Sequence, residues 1–169
     1  MKPFAFIVLI SVTSLLSGCT GYPRLLNFPF DPGGRSLNSF ASELTPQISS
    51  RFIVFVSDRN GSQDVYLYDA QIRQLVNLPG LNSLDEVTSH PSISEDGRYI
   101  VFQASRQGRT GIFIYDRQTE QKRNLTASLP AEVRNPTISA DGTKIAFEVA
   151  KDGQWDILVY DRSGQQIAP

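Results

Sequence analysis

The chain has 169 residues, 16 Lys+Arg against 17 Asp+Glu, and a single cysteine. The near-balanced charge excludes the basic footprint of a nucleic-acid binder and the acidic block of a disordered tail. One cysteine excludes an intramolecular disulfide, and ten prolines with twelve glycines in short clusters suit a β protein with many turns.

Residues 1–18 read as an export signal. Lys2 supplies the positive start, and Phe4 to Leu16 forms an apolar stretch too short to span a bilayer comfortably as a helix. The stretch ends in Leu16-Ser17-Gly18-Cys19, which resembles the bacterial lipobox. That resemblance implies acylation of the Cys19 thiol, cleavage before it, and a chain held to a membrane leaflet by acyl groups, each buried methylene contributing roughly 0.8 kcal/mol. Residues 19–45 would then form a lipid-anchored tether. Leu25, Leu26, Phe28 and Phe30 are too apolar for a free linker and are expected to pack on the rest of the chain or on a partner.

Residues 46–169 contain three copies of one pattern. Segments 51–69, 98–116 and 143–161 superimpose without gaps, bringing Phe55, Phe102 and Phe147 together, and likewise Tyr68, Tyr115 and Tyr160, and Asp69, Asp116 and Asp161. The spacings are 47 and 45 residues, a period that suits one four-stranded sheet per repeat. Strand one is expected to follow a proline (Pro46, Pro91, Pro136). An Asp-Gly turn comes next at Asp96-Gly97 and Asp141-Gly142, with a shorter turn in repeat one. Strand two is apolar on successive residues, as for a strand covered on both faces. Strand three ends at the tyrosine–aspartate pair. Strand four is short, at Arg73–Leu78 and Gln121–Leu125, and repeat three has at most a stub of it at Gln165–Ala168.

The pattern Pro-x-apolar-Ser-x-Asp-Gly-x-x-Ile-x-Phe, followed by the Tyr-Asp pair and Asn-Leu-Thr, resembles the repeat of the TolB-type β-propeller family. The resemblance implies an all-β fold of three TolB-like four-stranded blades, a partial propeller. In that family six blades follow a separate α/β domain. Residues Gly33–Asn38 resemble the end of a repeat, with Leu37 in the place of Leu125. Two arrangements stay open: this segment completes blade three of a second copy, making a homodimeric six-blade ring, or the three sheets form an open stack with blunted edges.

Candidate functional residues follow from departures and recurrences in the repeat. Trp155 breaks the pattern and is the foremost contact residue; a rim aromatic covering the last blade is the plain alternative. Arg59, Arg106 and Lys151 recur at one turn, as a basic rim for a partner or as solvated turn residues. Asp69, Asp116 and Asp161 read as turn acids that accept backbone N–H groups. Residues 58–64 fail the calcium-loop spacing, and the lone histidine, His90, cannot make a histidine-rich metal site; it aligns with Asn135 at a blade entrance. No Gly-x-Ser-x-Gly elbow is present, so no catalytic residue, cofactor or metal is expected. The reading is a non-catalytic bacterial lipoprotein of the cell envelope, membrane-anchored and facing the periplasm. It would serve as a protein-interaction scaffold of Tol–Pal-like or transport function; the alternative is a small-ligand or glycan-binding module.

Overall fold

The computed structural model describes residues 34–167. The export signal, Cys19, Leu25, Leu26, Phe28 and Phe30 lie outside the described residues. Among the described residues, eleven strands form three antiparallel sheets in chain order. Blade 1 joins β1 (Glu43–Ser49), β2 (Phe52–Ser57), β3 (Asp64–Asp69) and β4 (Gln74–Val76). Blade 2 joins β5 (Val87–Ile93), β6 (Tyr99–Arg106), β7 (Arg109–Asp116) and β8 (Gln121–Asn124). Blade 3 joins β9 (Val133–Ile138), β10 (Lys144–Lys151) and β11 (Gln154–Asp161). Among the described residues it has, in place of a fourth strand, a single bridge, Tyr160 to Gln166, within the stub expected at Gln165–Ala168.

The first strands differ from expectation. They begin before the prolines, at Glu43, Val87 and Val133, so Pro46, Pro91 and Pro136 lie inside them. The residue ahead of each proline has a left-handed backbone: Thr45 (φ 45), His90 (φ 47) and Asn135 (φ 52). The strand pairing slips at these positions, between Leu44 and Gln47 in β1 and between Ser89 and Ser92 in β5. A β-bulge takes the proline, which has no N–H, out of the hydrogen-bonded ladder, so the strand continues through it. His90 is therefore a mid-strand bulge residue, not a blade entrance.

The blades stack face to face. Each has a leading face toward the next blade and a trailing face toward the previous one. Between blades 1 and 2, Val54, Val65 and Leu67 meet Ile93, Phe102 and Tyr115. Between blades 2 and 3, Val101, Ile112 and Ile114 meet Ile138, Phe147 and Val149. Burying each such side chain stabilises the stack by roughly 1.5–3 kcal/mol. The first strand of each new blade carries the junction: β5 packs across β1, β2 and β3, and β9 across β5, β6 and β7. A hydrogen bond repeats there. The Ile93 N–H donates to Gln47 Oε1 (2.8 Å), and the Ile138 N–H donates to Ser92 Oγ at the equivalent place (3.2 Å).

The Asp-Gly turns complete the junctions. Gly97 (φ 72) lies under the Phe52 ring, where a Cβ would overlap the aromatic carbons. At Gly142 (φ 69) a Cβ would come within 2.8 Å of Tyr99 Cδ2. Both the backbone conformation and the close approach therefore require glycine.

Candidate functional site

The recurring aspartates hold turns. Asp69 accepts the Gln71 N–H (2.9 Å) and pairs with Arg51. Asp116 accepts the Gln118 N–H (2.9 Å) and a two-pronged bond from Arg98 (2.9 and 2.8 Å). That guanidinium holds the Asp116 carboxyl below the usual carboxylate range. Asp161 accepts the Ser163 and Gln165 N–H groups and is likewise lowered, chiefly by the Ser163 hydroxyl. Each carboxylate is thus engaged in closing the chain after strand three.

The basic recurrences separate. Arg59 is not a rim cation: only 5% of its side chain is exposed. Its guanidinium lies over the Phe55 and Tyr66 rings, 5.2 and 4.7 Å from their centroids. It donates to the carbonyls of Gly34, Ser36 and Leu37 and to Glu43 Oε1. Residues 34–38 form no strand in the single chain; they fold over blade 1 on this guanidinium. Arg106 pairs with Asp85 (2.5 Å) where both are exposed, so solvent screens the contact. Lys151 is exposed opposite Gln154 and makes no ion pair among the described residues. By strand alternation it points away from the face that carries Trp155, so the three cations do not form one surface.

That face is the leading face of blade 3, against which no further blade packs among the described residues. Trp155 pairs with Ala150, Ile157 with Glu148 and Val159 with Ala146, which places all six on one side of the β10–β11 hairpin. Trp155 is 38% exposed, and the Arg134 guanidinium stacks 3.7 Å from its ring centroid. Arg134 also bonds Glu148 Oε2 (2.5 Å), and the Asn135 amide donates to Glu148 Oε1 (3.0 Å). These two groups, Asn135 first, hold the Glu148 carboxyl low and fixed as an anion. Arg134 was not visible as a site residue in the sequence, because its repeat equivalents are Leu44 and Ser89, which share no chemistry. Tryptophan and arginine on an aliphatic sheet face are the side chains that dominate protein interfaces.

Two clefts lie elsewhere. One, of about 980 Å³, runs beside the β6–β7 hairpin and is lined by Arg106, Arg109, Asn124, Thr126 and Glu132. The other, of about 720 Å³, lies between Tyr99, Lys122 and Arg162. Among the described residues, no group of three or more His, Cys, Asp or Glu could hold a metal ion, and no helix is long and apolar enough to cross a membrane.

No protein family and no curated protein matches the chain in sequence. Solved structures do match in three dimensions. TolB from Acinetobacter baumannii superimposes with a TM-score of 0.59 at 24% identity, covering 77% of this chain and 32% of that one. The β-propeller domain of the Trilobed protease from Pyrococcus furiosus, described as an open velcro topology, gives 0.57 at 16%, covering 76% and 42%. A puromycin-hydrolyzing peptidase of Mycobacterium tuberculosis gives 0.56 at 16%, covering 75% and 20%. The chain spans less than half of each. The fold is therefore that of TolB-like propeller blades, three of them, in an arc that is not closed.

Proposed function

We propose that this chain is a non-catalytic interaction module of the bacterial cell envelope. Cys19 anchors it through its acylated thiol, and the leading face of blade 3 engages a protein. One observation carries the reading: Trp155, stacked on Arg134 beside exposed Ile157, sits on a sheet face that has no neighbour among the described residues. An interaction surface needs no reacting groups, and the similarity to TolB favours a scaffold of Tol–Pal-like or transport function.

The test is a photo-reactive residue placed at position 157 of the full chain in living bacteria. Specific crosslinks to a protein, lost with Trp155→Ala, support the interaction module; their absence, with full expression, contradicts it. Mass spectrometry of the mature N-terminus checks the anchor: a diacylglyceryl Cys19 is expected, and an unmodified Cys19 or a retained Met1 contradicts it. A second reading, glycan or small-ligand binding, is favoured by the polar cleft beside the β6–β7 hairpin. Retention on purified peptidoglycan, abolished by Asn124→Ala and unaffected by Trp155→Ala, would support that reading over the first.

A further inference from the structure

The three repeats allow each position to be compared with its own copies. Val65 and Ile112 occupy one position on the leading faces of blades 1 and 2, and both are buried in the junctions, at 1% and 0% exposure. Their copy in blade 3 is Ile157, and it is 64% exposed. On the trailing side, Ile93 and Ile138 occupy one position in the first strands of blades 2 and 3 and are buried at 1% and 8%. Their copy in blade 1 is Ile48, and it is 67% exposed. The chain thus keeps both halves of a blade junction, one at each end of the stack, as bare isoleucines.

The polar part of the junction is kept in the same way. Gln47 and Ser92 each accept the backbone N–H of the isoleucine on the next blade. The third residue in that series is Thr137, whose hydroxyl is an acceptor of the same kind, and the third isoleucine is Ile48. Resting on the reading of the blade 3 face as an interaction surface, we infer that its partner is a second copy of this chain. The first strand β1 of one molecule docks across β9, β10 and β11 of another, as β5 and β9 dock within the chain. The contact continues an interface already built twice in the fold.

The geometry adds two details. The Arg59 guanidinium and residues 34–38 cover the Phe55–Tyr66 pair on the trailing face of blade 1 and engage β1 at its first residue, Glu43, while Ile48 further along β1 stays exposed, so the docking uses the inner strand. Head-to-tail contact is also heterologous: each molecule offers one half to each neighbour. Two molecules related by a two-fold axis make it twice and leave neither isoleucine bare.

Sedimentation of the full chain in density-matched detergent tests the inference. The wild type is expected to associate, and Ile48→Asp or Ile157→Asp alone is expected to weaken association at least tenfold. Both side chains are largely exposed in the single molecule, so thermal unfolding at high dilution should stay unchanged and show that the variants are folded. An equimolar mixture of the two variants retains one intact junction, Ile157 of the first against Ile48 of the second, and is expected to regain pairs. A wild type that stays single at every concentration overturns the inference. So does association that either variant leaves untouched, or a mixture that fails to pair. In each of these outcomes, crosslinks from position 157 to a different protein would still support the interaction module, so the two readings fail separately.

Discussion

Ile112 and Ile157 are the same residue at the same sheet position, with and without a blade against it, and replacing each by alanine isolates the energy of stacking. Ile112 is fully buried in the second junction. Trimming it removes three carbon groups at roughly 0.8 kcal/mol each and leaves a cavity between two sheets, for a loss of about 3–4 kcal/mol. Ile157 is 64% exposed, so about a third of the transfer energy and no cavity is at stake, and the loss should stay under about 1 kcal/mol. Urea unfolding of the full chain at high dilution, where association does not contribute, measures both. In thermal terms the Ile112 variant should melt about 10 °C lower and the Ile157 variant within about 3 °C of the parent. Equal losses at the two positions would refute the asymmetric stack, since they would mean that Ile157 is covered within the single chain.

Three further outcomes follow. Arg59→Ala removes a buried guanidinium from five oxygen acceptors and two rings, at about 3 kcal/mol, and should speed proteolytic cleavage within residues 34–43; unchanged protection of that segment would contradict the clamp. Gly142→Ala meets both the left-handed backbone and the Tyr99 ring and should cost about 2–3 kcal/mol in urea unfolding, whereas Gly153→Ala, with open space around it, should cost about 1 kcal/mol; equal losses would contradict the turn-on-ring contact. Asp116 and Asp141 titrate below their unfolded value, the latter held at about 2 by the Ser139 hydroxyl and the Thr143 N–H and hydroxyl. Their contribution is present above about pH 4 and is lost as pH falls through the lower folded values. Asp64, pushed up by burial, works against that trend. The melting temperature should therefore fall between about pH 4 and 2, less steeply in Asp116→Asn; an identical slope in the variant would contradict the Arg98 pairing.

The repeat made most of the fold legible. Phe55, Phe102 and Phe147 align because each holds the same place on the trailing face of its blade, and all three are buried, Phe102 and Phe147 in the junctions and Phe55 under the Arg59 guanidinium. The tyrosine–aspartate ends of strand three also follow from spacing alone. The bulges did not: Thr45, His90 and Asn135 share a left-handed backbone but no side-chain chemistry, and the β-branched threonine is a residue that rarely adopts it. Arg59 was misplaced by the same alignment that succeeded elsewhere. Its copies Arg106 and Lys151 are exposed, and what buries Arg59 is the carbonyl row of residues 34–38, whose sequence carries no pattern. In the candidate site Trp155 was legible as a break in the repeat. Arg134, which fixes its ring, was not, because the contact joins β9 to the far edge strand β11 and leaves no local trace.

Stacking of successive blades through the glycine turns builds both junctions, and through-space proton contacts measure it directly. The Gly97 α-protons should show strong cross-relaxation to the Phe52 ring and large ring-current shifts, and the Gly142 α-protons the same toward Tyr99. Glycine signals at ordinary shifts, with no contact to either ring, would mean that the three sheets do not pack as blades.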